Sequence, residues 1–169
     1  MAIPPAEVFF VKEYIADLGI AAQLEHASSR GRKLFERLGG RPTLDRVHKI
    51  FYDKLYAHSW IGKYFEGINK ELITSQQSDF MGMLFGGPKI FSGRMPIDAH
   101  MHMMITEELF EVRHGLLRES LAESKINEPE FSEWLSVDAA FKRILIKKSV
   151  ADCKKRFNTD DIVNHLKAS

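Results

Sequence analysis

The chain has 169 residues, 44% of them hydrophobic, with 24 Lys and Arg against 23 Asp and Glu and a formal net charge of +1. That is enough apolar material for one domain with its own core, and the even balance, without a long basic run, argues against a nucleic-acid partner. Cys153 is the only cysteine, which excludes an internal disulfide and a multi-cysteine zinc or iron–sulfur site and suits a reducing, cytoplasmic setting.

The segment Met1 to Leu24 has no basic leader, carries Pro4 and Pro5, and is broken by Glu7, Lys12, Glu13 and Asp17, so it does not read as a signal peptide. No window reaches the ~20 apolar residues of a membrane span, so no membrane partner is expected. Helical periodicity runs along nearly the whole chain, and no β-branched run alternates with polar residues, which predicts an all-α fold. A first helix opens at Pro4-Pro5, with Val8, Val11, Ile15, Leu18 and Ala22 at seam spacing. Gly19 interrupts barely two heptads, leaving two readings: a helix folded back on its own domain, or a homodimer seam. A linker follows at 26–31, and the short piece Leu34, Phe35, Leu38 stops at Gly39-Gly40, which permits a tight turn.

Thr43 is the expected N-cap of the next helix, whose face is Leu44, Val47, Ile50, Phe51 and Leu55, with Tyr52 beside it. After an aromatic corner at Trp60, Tyr64 and Phe65, a helix from near Asn69 turns Ile73, Phe80, Met81 and Leu84 inward and ends at Gly86-Gly87-Pro88. Pro96 starts a short helix holding His100. Thr106 caps a longer one bearing Leu109, Phe110, Leu116, Leu117 and Leu121. A last long helix is predicted from Glu130 to Arg156, burying Phe131, Trp134, Leu135, Phe141, Ile144 and Leu145.

From spacing alone His100 is more often a core or surface histidine than a metal ligand. His100 and His102 point about 200° apart on a helix, so only one can face a given metal. His100 is the better choice because Ile97, Met101 and Met104 make its side apolar. His48, His58, His114 and His165 read as solvent-facing or structural. Buried glutamines ask for partners: Gln76 reads as a helix-edge residue, and Gln77 as an internal one bonded to Tyr52 or turned with it toward a small polar ligand.

The run Leu34-Phe35-Glu36-Arg37-Leu38-Gly39-Gly40, then Phe51-Tyr52, Tyr64-Phe65, Ser75-Gln76-Gln77-Ser78-Asp79-Phe80, Phe85-Gly86-Gly87, Ser92-Gly93-Arg94, Asp98-Ala99-His100 and Ile105-Thr106-Glu107-Glu108-Leu109-Phe110 resembles the truncated haemoglobins, particularly their first group. The resemblance implies a two-over-two helical sandwich around haem b over residues 33–151, preceded by an N-terminal helical extension (1–32) and followed by a C-terminal tail (152–169). It makes His100 the proximal iron ligand, its other ring N–H bonded to a backbone carbonyl. Tyr52 and Gln77 match ligand-stabilising distal positions, with Ile73 and Gln76 beside them where relatives carry histidines. Phe51, Phe65, Phe80 and Met104 are implied haem contacts, and Arg94 is either a propionate partner or a solvated loop cation.

The function so implied is reversible binding of oxygen or another diatomic gas, extending to nitric oxide dioxygenation. No flavin or NAD motif is present, so such an enzyme needs an external reductase. The competing readings are a haem-based gas sensor signalling through the N-terminal helix, as monomer or homodimer, and a haem-free helical protein that kept the fold.

Overall fold

Two glycines with positive φ, Gly39 (96°) and Gly40 (74°), turn the chain out of a four-residue helix, α1 (Leu34–Arg37), and into α2 (Arg41–Ala57). The computed structural model describes residues 32–169, so the predicted N-terminal helix and its seam lie outside the described residues. Gly40 is the N-cap of α2, and Thr43 lies buried within the first turn rather than capping it. Pro42 explains the earlier start: its fixed φ suits the first helical turn and its missing N–H is not needed there.

A 3-10 turn, η1 (Ile61–Phe65), leads to α3 (Lys70–Leu84). The Asn69 side chain caps α3 by accepting from the Leu72 amide at 2.8 Å. Beyond α3, a Cβ on Gly87 would sit 2.7 Å from the Phe35 ring and 2.9 Å from the Gly82 carbonyl, so only glycine lets this end of α3 close onto α1. Then come α4 (Pro96–His100), α5 (Glu107–Glu123), α6 (Glu130–Ala140), α7 (Lys142–Leu145) and a second 3-10 turn, η2 (Val150–Asp152). Thr106 caps α5 through the Leu109 amide at 3.1 Å.

The predicted helix from Glu130 to Arg156 is therefore broken. Its later amides are drawn elsewhere: Lys147 N–H donates to the Ile105 carbonyl and Lys154 N–H to the Met101 carbonyl, each at 2.8 Å. Ser149 and Asp152 form a capping box that starts η2 instead. The basic tail is then pinned across the segment that follows His100. Met104 N–H donates to Val163 O (2.8 Å), Val163 N–H to His102 O (2.9 Å), and the Trp60 indole to His165 O (2.7 Å).

Helix α2 packs on α3 and on α5, and α5 packs on α6, so two helix pairs are layered one over the other; among the described residues there is no strand, only an isolated bridge between Met103 and Val163. Trp134, Phe51, Phe85, Phe110, Leu44, Leu55, Met81, Leu117 and Leu121 fill the layer interface and are almost fully buried. Arg37 ties α1 to α6 through Glu130 (2.5 Å) and Glu133 (2.6 Å). No helix among the described residues is long and apolar enough to cross a membrane.

Candidate haem site

Between the layers lies a cavity of about 710 Å³, within the ~300–1,000 Å³ common to small-molecule sites. Tyr52 from α2 and Ile73, Gln76, Gln77 and Phe80 from α3 line it, with Phe65 from η1, His100 from α4, and Arg94 and Arg156 from the flanking loops. The remaining wall comes from α5 and α6, where Leu109, Phe110, Arg113 and Asp138 meet it.

His100 closes α4, one turn after Pro96, and its Nδ1 lies 2.7 Å from the Pro96 carbonyl oxygen. A carbonyl can only accept, so Nδ1 carries the proton and Nε2 keeps its lone pair. Burial holds the His100 pKa down to about 4 against the opposing Pro96 bond, with Arg113 and Lys147 acting in the same direction as burial. The ring is neutral near pH 7, the form that ligates a metal. His102 is buried, does not line the cavity, and its Nδ1 has no partner among the described residues.

Tyr52 is 6% exposed and its hydroxyl makes no hydrogen bond among the described residues. Burial pushes its phenol well above the ordinary value despite the nearby Arg113 cation, so it stays a protonated donor. Gln77 is half-buried and Gln76 exposed, and both line the cavity. Of the two readings of Gln77, the hydrogen bond to Tyr52 is not formed. Phe65 stands edge-on to Tyr52, with ring centres 5.9 Å apart.

Three expected neighbours lie elsewhere. Phe51 is buried behind the wall, edge-on to Tyr52 and beneath the Arg113 guanidinium. Met104 is buried off the cavity, its carbonyl accepting from the Tyr64 hydroxyl, and Met103 lines the wall in its place. Ile97 is exposed. Helix α4 ends at His100, so helical spacing carried on to Met104 gives the wrong phase. Of the other histidines, His48 bonds Ser78 Oγ and His114 bonds Asp138, while His58 accepts from the Trp60 and Ile61 amides. All three are structural.

Sequence reasoning missed Arg113 and Asp138. Arg113 Nη1 donates to Asp138 Oδ1 at 2.7 Å, and His114 Nδ1 lies 2.7 Å from Asp138 Oδ2. Burial alone raises the Asp138 pKa, but Arg113 and His114 outweigh it and hold the carboxyl below its usual range. The available signal was a charge at an inward position on each of two facing helices: Arg113 among Leu109, Phe110 and Leu117, and Asp138 beside Trp134 and Phe141.

Among the described residues no group of three or more His, Cys, Asp or Glu could hold a metal ion. A single neutral imidazole in an apolar cavity, with cationic Arg94 and Arg156 among the lining residues, instead fits an iron macrocycle with acidic substituents, a haem. Residues 33–147 match the bacterial-like globin family. The chain belongs to that family. It is 31% identical over 100 residues to the group 1 truncated hemoglobin of Tetrahymena thermophila, covering 59% of this chain and 83% of that one. The solved truncated hemoglobin of Tetrahymena pyriformis in its Fe(III) form superposes with a TM-score of 0.62 at 25% identity, covering 69% of this chain and all (100%) of that one. The 2/2 hemoglobin of Synechococcus sp. PCC 7002 shares the fold at TM-score 0.61 and 24% identity, over 67% of this chain and 95% of that one. This truncated globin is thus an all-α, two-over-two helical sandwich, and the α2/α3 and α5/α6 pairs are its layers.

Proposed function

We propose that the protein holds haem b in this cavity through His100 Nε2 and reversibly binds a diatomic gas, oxygen foremost, beside Tyr52 and Gln77. Membership of a globin family indicates haem-based gas binding. The observation that carries the residue assignment is the His100–Pro96 hydrogen bond in a cavity also lined by Tyr52, whose hydroxyl has no partner among the described residues. Bound haem supplies the ligand-binding iron and its redox electron. The chain supplies the rest: His100 orients a neutral donor, Phe65, Phe80 and Ile73 exclude water, and Tyr52 and Gln77 present hydrogen-bond donors to charge developing on a ligand. Arg94 is assigned to a haem carboxylate.

The finer reading is conversion of nitric oxide and oxygen to nitrate, with one electron per turnover from a separate reductase, in a cytoplasmic setting. Haem-reconstituted, reduced protein is expected to take up oxygen and to return to the ferrous spectrum under argon. Adding nitric oxide to the oxygen-equilibrated protein should yield one nitrate per haem. Immediate irreversible oxidation on exposure to air contradicts reversible binding, and nitrate at the level of free haem contradicts the enzymatic reading alone.

A further inference from the structure

The family match ends at residue 147, and the chain beyond it is tied to the segment of the proposed iron ligand. Lys154 N–H donates to the Met101 carbonyl (2.8 Å) and Val163 N–H to the His102 carbonyl (2.9 Å), so the two residues directly after His100 are each held by the tail. Farther along, the His165 carbonyl accepts from the Trp60 indole at 2.7 Å and its amide donates to the Tyr64 hydroxyl at 3.1 Å. Tyr64 belongs to η1, which also lines the cavity. The tail is thus anchored to two elements that form the cavity.

Between the Lys154 and Val163 anchors, Arg156 reaches the cavity lining. Asp160 aims its guanidinium by accepting from Nε at 2.8 Å and Nη2 at 2.9 Å, which leaves Nη1 without a partner among the described residues. The Phe157 ring brings a second lining cation to the same place: its centre lies 5.1 Å from the Arg156 guanidinium and 5.7 Å from that of Arg94. Asp160 offsets one of these charges, and Arg94 has no acidic partner among the described residues. Two donors with a net positive charge at one edge of the cavity suit a ligand whose carboxylates lie at one edge. We propose that residues 148–169 form a strap over the haem cavity, in which Arg156 binds a haem carboxylate beside Arg94, so that haem loading and tail docking stabilise one another. The strap's ligand rests on the haem reading. The coupling is reciprocal, because a ligand gripped only by the docked tail favours docking by as much as docking strengthens its binding.

The test titrates the haem-free full chain with haemin and with haemin dimethyl ester, which keeps the iron and the ring but has no free carboxylate, following the Soret band. Arg156→Gln is expected to lower haemin affinity ~10-fold, as for loss of one partly exposed hydrogen bond between charged groups. Ester affinity is expected to stay at the wild-type value, which also shows that the variant folds. Equal haemin affinity in the two proteins, or an equal fall for haemin and ester, overturns the carboxylate role. Hydrogen exchange at the Met104 amide, which donates to the Val163 carbonyl, reads the docking of the strap. Haemin is expected to slow that exchange in wild type and to slow it less in Arg156→Gln; exchange that haemin leaves unchanged, or slows equally in both, overturns the coupling. No Soret band from wild type with either porphyrin overturns the haem reading and the strap with it, whereas a wild-type band together with any of the contrary results above overturns the strap alone.

Discussion

His100 Nδ1 lies 2.7 Å from the carbonyl oxygen of Pro96, and that contact fixes which ring nitrogen is left to ligate. His100→Gly removes the proposed ligand but leaves the space of an imidazole. Haem affinity is expected to fall by more than the ~10–100-fold typical of losing an outer-shell partner, and added imidazole should restore much of it. Haem titrations with and without imidazole check this; equal affinity in variant and wild type places the ligand elsewhere.

Tyr52 and Gln77 line the cavity without bonding to one another, so in the proposed site each is expected to act on a ligand independently. Tyr52→Phe and Gln77→Leu are each expected to raise the oxygen dissociation rate ~10–100-fold, for one donor bond of about 1–3 kcal/mol. Stopped-flow displacement of oxygen by carbon monoxide measures it. Wild-type rates in both variants remove the donors from the mechanism.

His48 is 1% exposed and bonded to Ser78, and burial holds its pKa down to about 3. The folded state refuses a proton that the unfolded chain accepts below about 6.5. Stability is therefore unaffected by His48 above that pH and is lost as pH falls from ~6.5 toward ~3, by up to ~2 kcal/mol between pH 7 and 5. Urea unfolding at the two pH values should show a smaller drop in His48→Gln than in wild type. An equal drop assigns the acid sensitivity to other groups.

The tail is held to the segment after His100 by reciprocal backbone bonds between Val163 and the 102–104 stretch. Val163→Pro deletes the N–H that serves the buried His102 carbonyl. A loss of about 1–3 kcal/mol is expected, with faster hydrogen exchange at the Met104 amide, which donates to Val163 O. Unchanged exchange at Met104 contradicts a pinned tail.

Features set by local rules were legible in the sequence. Asn69 and Thr106 announce their helices because a capping side chain reports on amides two or three residues away, and Gly39-Gly40 and Gly86-Gly87 mark turns no other residue makes cheaply. Tyr52, Gln77 and His100 were legible as one set only through the order of those glycine pairs. What was not legible depends on partners distant in the chain. The helix predicted to Arg156 gives way after Leu145 because Ile105 and Met101 claim its amides. Met104 was misplaced because periodicity does not say that α4 stops at His100. Arg113 and Asp138 were missed because their pairing depends on α5 and α6 meeting face to face, which no local pattern reports.

The most direct measurement of the central claim, a haem held by His100 in the α2–α5 cavity, is the absorption spectrum of the haem-free chain titrated with haemin, then reduced and exposed to carbon monoxide. A Soret band saturating at one haem per chain, converted to a carbon monoxide form in wild type and displaced or lost in His100→Ala, is the predicted result. No saturable band, or one identical in His100→Ala, contradicts it.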